Sequence, residues 1–98
     1  MKEFTTKEIE LFLKEGKRLN LIDVREVDEV ATGMIPGAVN IPLSLIADQL
    51  NELDQSKEYI LVCRSGARSG RATQFLESQG YYVSNMKGGM LAWTGKVV

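Results

Sequence analysis

The chain has 98 residues, with 12 basic and 13 acidic side chains, a net charge of −1 and 44% apolar content. That length suits one domain around one core, spanning residues 1–98, and the charge balance gives no reason to expect nucleic acid or an anionic membrane as partner. No apolar run approaches the ~20 residues of a membrane span and the first residues lack a signal-peptide apolar stretch, so the expected location is cytoplasmic.

Thr5-Thr6-Lys7-Glu8 reads as a capping box, followed by Ile9, Phe12 and Leu13 at helical spacing, with Gly16 placed to end the helix. Leu19–Val24 is an apolar run of buried-strand length. Val27, Val30 and Ala31 mark a short second helix ending at Gly33, and Ile35-Pro36-Gly37-Ala38 reads as a turn. Val39-Asn40-Ile41 is a brief strand stopped by Pro42. Ser44 is expected to cap a third helix carrying Ile46, Leu50 and Leu53. Tyr59–Val62 is a second buried strand, Arg68–Gln79 a helix ended by Gly80, and Tyr82–Met86 a further strand. Gly88-Gly89 would allow a close backbone approach and leads into a last short helix with Met90, Leu91 and Trp93. Strand and helix alternate, which predicts an α/β domain with a mainly parallel sheet covered on both faces.

The chemistry gathers at Cys63-Arg64-Ser65-Gly66-Ala67-Arg68-Ser69, between the end of a buried strand and the start of a helix. In such sheets, ligands bind at the carboxyl ends of strands. Backbone N–H groups at the helix start favour an anion, and Arg64, Arg68 and Arg71 add positive charge, so a thiolate at neutral pH is expected. The competing reading is an inert core thiol, since free cysteine is often buried. Two arginines within five residues are poor neighbours for one. Cys63 is the only cysteine and histidine is absent. That excludes an internal disulfide, a CxxC redox pair and a Cys-His dyad, and leaves too few soft ligands for zinc. No metal or cofactor is expected, and activation falls to the loop itself.

Four residues separate Cys63 from Arg68, one fewer than in the phosphate cradle of cysteine phosphatases. A smaller ring of N–H groups suits a sulfur carried on the cysteine. With Leu21-Ile22-Asp23-Val24-Arg25, Gly33-Met34-Ile35-Pro36-Gly37-Ala38-Val39-Asn40-Ile41-Pro42 and Gly88-Gly89-Met90-Leu91-Ala92-Trp93, the loop resembles the motif set of a single-domain rhodanese. These motifs, in order, span nearly the whole chain.

The resemblance implies a rhodanese-like fold, a five-stranded, mainly parallel sheet flanked by helices. It also implies a sulfurtransferase that moves a sulfane sulfur from thiosulfate or a persulfide donor to a thiol or cyanide through a persulfide on Cys63. Arg64, Ser65, Gly66, Ala67, Arg68 and Ser69 would then surround the sulfur and bind donor, with Asp23 and Arg25 supporting the site. Partners would be a small sulfur donor and a thiol acceptor, or a sulfur-accepting protein. Alternatives are a sulfur-carrier module serving one partner, a phosphatase or arsenate reductase on the same scaffold, and an inactive regulatory domain, which typically lacks the cysteine kept here. Relatives often carry histidine where this chain has Met34.

Overall fold

The computed structural model describes residues 1–98. Along the chain run β1 (Lys2–Thr5), α1 (Thr6–Lys14), β2 (Leu21–Asp23), α2 (Val27–Val30), β3 (Val39–Asn40), a 3₁₀ segment (Leu43–Glu52), β4 (Glu58–Val62), α3 (Ala67–Ser78), β5 (Tyr82–Lys87) and a 3₁₀ turn (Met90–Ala92). The strands form one sheet in the order β1-β5-β4-β2-β3. Every pairing is parallel, so the sheet is wholly rather than mainly parallel.

Parallel strands buried on both faces need apolar residues at successive positions. β4 shows this directly. Tyr59 and Leu61, with Cys63 beyond them, join a cluster with Ile22, Val24, Ala72, Leu76 and Val83 on the α3 side. Ile60 and Val62 join Ile9, Leu21, Ile35 and Met86 on the α1 side. Alternate residues thus serve opposite cores, and helices cover both faces as expected. On α3 the buried residues are Ser69, Gly70, Ala72, Thr73 and Leu76, whereas Phe75 is over a third exposed. Small side chains there let the helix lie close on the sheet. No helix is long and apolar enough to cross a membrane.

The capping box forms as expected: Thr5 Oγ1 accepts from Glu8 N–H at 3.1 Å, and Glu8 Oε1 accepts from Thr5 N–H at 2.8 Å. Three elements differ from the sequence reading, one being the expected last short helix, which is a 3₁₀ turn over Met90–Ala92 that stops before Trp93. Another is β1, which lies ahead of the capping box as an edge strand, pairing Glu3 with Asn85 and Phe4 with Met86. Its sequence Lys-Glu-Phe-Thr has one apolar side chain, so no alternation announces it, and backbone pairing to β5 holds it. The third is Leu43–Glu52, which forms 3₁₀ turns kinked at Gln49 rather than an α-helix. Its cap is Pro42, two residues before the expected Ser44, and Leu45 N–H closes on Pro42 O at 2.8 Å. Long 3₁₀ runs are unfavourable, which accounts for the break at Gln49.

Thr5→Ala removes one half of the capping box and is expected to cost about 1 kcal/mol. Urea unfolding of the two proteins side by side checks this.

Candidate active site

Cys63 directly follows β4, and Gly66 caps α3 in a left-handed conformation (φ 97°). Between them the chain must turn from strand to helix within three residues. The carbonyls of the first two loop residues face away from the turn and are taken by the 3₁₀ turn at the end of β5. Met90 N–H donates to Cys63 O at 2.8 Å, and Leu91 N–H to Arg64 O at 2.9 Å. Gly89 makes this approach possible. A Cβ on it would lie 2.6 Å from Cys63 O and closer still to the Arg64 carbonyl, and its backbone (φ 60°, ψ −163°) is one that side chains scarcely adopt. The sequence reading anticipated a close backbone approach at Gly88-Gly89; the surface approached is the active loop.

With those carbonyls drawn outward, N–H groups gather round the sulfur. Gly66 N–H donates to Cys63 Sγ at 3.0 Å, and Ser69 Oγ lies 3.3 Å from it. Burial pushes the thiol up. The Ser69 hydroxyl and the N–H groups of Ser69, Gly66 and Ser65 outweigh that, and the thiol settles below its ordinary pKa. The sequence pointed to backbone N–H groups and arginine charge together. Arg64 and Arg71 are exposed, and Arg68 is turned to Glu29, though it remains near enough to be attracted by the sulfur's charge.

Cys63 is fully buried, packed with the core cluster on the α3 side. The sulfur therefore sits beneath its own loop, whose Arg64, Ser65 and Ala67 are exposed. Beside Arg64 opens a cleft of about 380 Å³ lined by Arg25, Asp28, Glu29, Thr32, Met90 and Leu91. A larger cleft, about 490 Å³ between α1 and the C-terminal segment, includes no residue of the loop.

Two ion pairs brace the loop. Arg68 donates to both Glu29 carboxylate oxygens, at 2.6 and 2.7 Å. With the Glu26 N–H also donating to it, the Glu29 carboxyl falls to about 2. Behind it, Arg25 and Asp23 form a buried bidentate pair at 2.8 and 2.9 Å. Arg25 also donates to Gly33 O and, more weakly, to Glu29 O, which pins the C-terminal end of α2 and the turn after it. Asn40 ties Asp23 O and Arg25 O to β3. Every buried side-chain nitrogen and oxygen of this pair has a partner, the condition under which a buried ion pair is tolerated.

Sequence reasoning missed Glu29, which is 39 residues from Arg68 and linked to it by no spacing rule. It also missed Asn85. A signal existed there: Asn85 shares a face with Val83 on a buried strand, so its amide points into the protein and needs partners.

Gly89→Ala is expected to displace the Cys63–Arg64 backbone and raise the thiol pKa by about one unit, a single lost hydrogen bond to a charged group. Thiolate absorbance against pH measures it. A depressed carboxylate stabilises the fold above its unfolded pKa, and that contribution disappears as pH falls through the folded value. The stability difference between wild type and Glu29→Gln should be full at neutral pH and vanish as pH drops from the ordinary glutamate range to about 2. Urea midpoints across that range test it.

A family model described as the rhodanese-like domain matches residues 5–96. A Bacillus subtilis protein provisionally named sulfurtransferase YtwF is 44% identical over 96 residues, covering 98% of this chain and 93% of the relative. The thiosulfate sulfurtransferase GlpE of Shewanella oneidensis is 30% identical over 82 residues, 83% of this chain and 81% of that protein. The crystal structure of a rhodanese-like domain protein from Staphylococcus aureus matches with a TM-score of 0.94 at 38% identity, over 100% of this chain and 97% of the other. The chain belongs to the rhodanese-like family of sulfurtransferases.

Proposed function

We propose that residues 1–98 act as one domain that transfers a sulfane sulfur through a persulfide on Cys63. The observation that carries this reading is the sulfur's position at the focus of Gly66 N–H and the Ser69 hydroxyl, with a thiol pKa brought down by them despite burial. In the first step the Cys63 thiolate attacks the outer sulfur of thiosulfate. A Cys63 S–S bond forms, the donor S–S bond breaks, and sulfite leaves with the bonding pair. In the second step a thiolate or cyanide attacks the terminal sulfur, and Cys63 leaves as thiolate. Cys63 ends as it began and the sulfane sulfur itself is the oxidant of the acceptor, so no redox cofactor is needed.

Physically, the loop serves the anion present at the start and end of each step. N–H donors held in place by the backbone stabilise negative charge without reorganising, where water would have to reorient. Arg64, Ser65, Gly66, Ala67, Arg68 and Ser69 form the sulfur and donor site, and Asp23 and Arg25 support it through α2. Since Cys63 has no exposed surface at rest, donor access requires the loop around it to open. The name of the Shewanella relative supports thiosulfate as donor.

A sulfur-accepting protein is the alternative acceptor. The name of a Bacillus subtilis relative, provisionally called sulfur carrier protein YrkF and 43% identical over 79 residues, supports it.

Incubation with thiosulfate should add one sulfur atom to the intact protein, seen by mass spectrometry and reversed by cyanide. Cys63→Ser should show neither the added mass nor turnover while keeping its thermal transition. Sulfur transfer surviving in that variant would remove Cys63 as nucleophile.

A further inference from the structure

Ser69 Oγ has a single hydrogen and two acceptors in reach. One is Cys63 Sγ at 3.3 Å; the other is Asn85 Oδ1. The orientation of the Asn85 amide is fixed independently, because its Nδ2 donates to Gly66 O at 3.2 Å and to Glu3 Oε2 at 3.0 Å. Neither partner can donate, so Nδ2 must face them and Oδ1 must face Ser69. Ser69 and Asn85 are both buried. The hydroxyl hydrogen therefore goes to one acceptor or to the other.

We propose that Asn85 is a positioning residue for Cys63 acting through Ser69: its carbonyl holds the Ser69 hydroxyl hydrogen while the sulfur is neutral and yields it when the sulfur is anionic. With a neutral thiol, the S–H donates to Ser69 Oγ and the hydroxyl donates to Asn85 Oδ1. Every group is then satisfied. When the proton leaves the sulfur for solvent, the hydroxyl turns to the thiolate and Asn85 Oδ1 loses its donor. A buried acceptor without a partner carries a penalty, so Asn85 opposes ionisation while Ser69 favours it. The same turn of the hydroxyl serves a persulfide anion on Cys63.

The other charges around the loop are Arg64, Arg68 with Glu29, the Asp23–Arg25 pair and Glu3 behind Asn85. None supplies the hydrogen that moves. The inference rests on the proposed role of Cys63 for its bearing on turnover. The thiol itself can be titrated whether or not sulfur is transferred.

Cys63 is the only cysteine, so thiolate absorbance reports it alone. The test is a cycle of wild type, Ser69→Ala, Asn85→Leu and the double variant. Ser69→Ala should raise the thiol pKa by about one unit and Asn85→Leu should lower it by about half a unit, magnitudes expected for one hydrogen bond to a charged group. In the Ser69→Ala background, Asn85→Leu should shift nothing, because the relay is gone. A shift of equal size in both backgrounds, no shift in either, or a rise on Asn85→Leu would overturn the proposal. A second measurement uses unaltered protein and does not depend on Asn85→Leu folding. The Asn85 side-chain carbonyl resonance should move with the thiol's titration midpoint and stay fixed in Cys63→Ser. A resonance that stays flat through the wild-type midpoint would also overturn it.

Discussion

The loop after β4 depends on the place where Gly89 lies against the carbonyls of Cys63 and Arg64, too close for any side chain to intervene. A strand-to-helix turn could present either its carbonyls or its N–H groups to the space it encloses. Here two carbonyls are occupied from outside by Met90 and Leu91, which leaves N–H groups to line the inside. The sign of the electrostatic field at the sulfur is thus decided by backbone contacts with a segment more than twenty residues away. The lowered thiol pKa follows from that arrangement, and burial alone would have moved it the other way.

Around this contact the remaining structure acts as bracing. β5 and the turn after it bring Gly89 to the loop, and β4 fixes where the loop begins. On the opposite side, the Asp23–Arg25 pair holds α2, and α2 holds Arg68 through Glu29. Neither pair touches the sulfur through its carboxylate. Both restrict how far the start of α3 can drift from it.

Much of this was legible in the sequence, and the parts that were not share a physical cause. Local rules read local features well: Thr5 and Glu8 are three residues apart and bond to each other, and the run from Tyr59 to Val62 needs burial on both faces. The turn at Gly88-Gly89 was visible as a close approach, with its partner unspecified. β1 was invisible because an edge strand of Lys-Glu-Phe-Thr is held by backbone pairing, for which its side chains give no sign. Glu29 was invisible because an ion pair across 39 residues leaves no periodic trace. Backbone N–H groups and the arginines were read together as the source of thiol activation, but a sequence does not show which N–H groups aim at the sulfur or that Arg68 turns to Glu29. The α-helix expected over the segment from Ser44 failed for a simpler reason: Pro42 starts a tighter turn first.

The donors closest to the sulfur are main-chain amides and one hydroxyl, while Arg64, Ser65 and Ala67 direct exposed side chains to solvent from the same loop. The two layers answer to different constraints. Replacing an outer side chain alters what the mouth of the site greets and leaves the inner ring of hydrogens where the fold put it. On the proposed function, recognition and reactivity are therefore separable along these seven residues, so one scaffold could be re-addressed to new sulfur donors or recipients without rebuilding its chemistry.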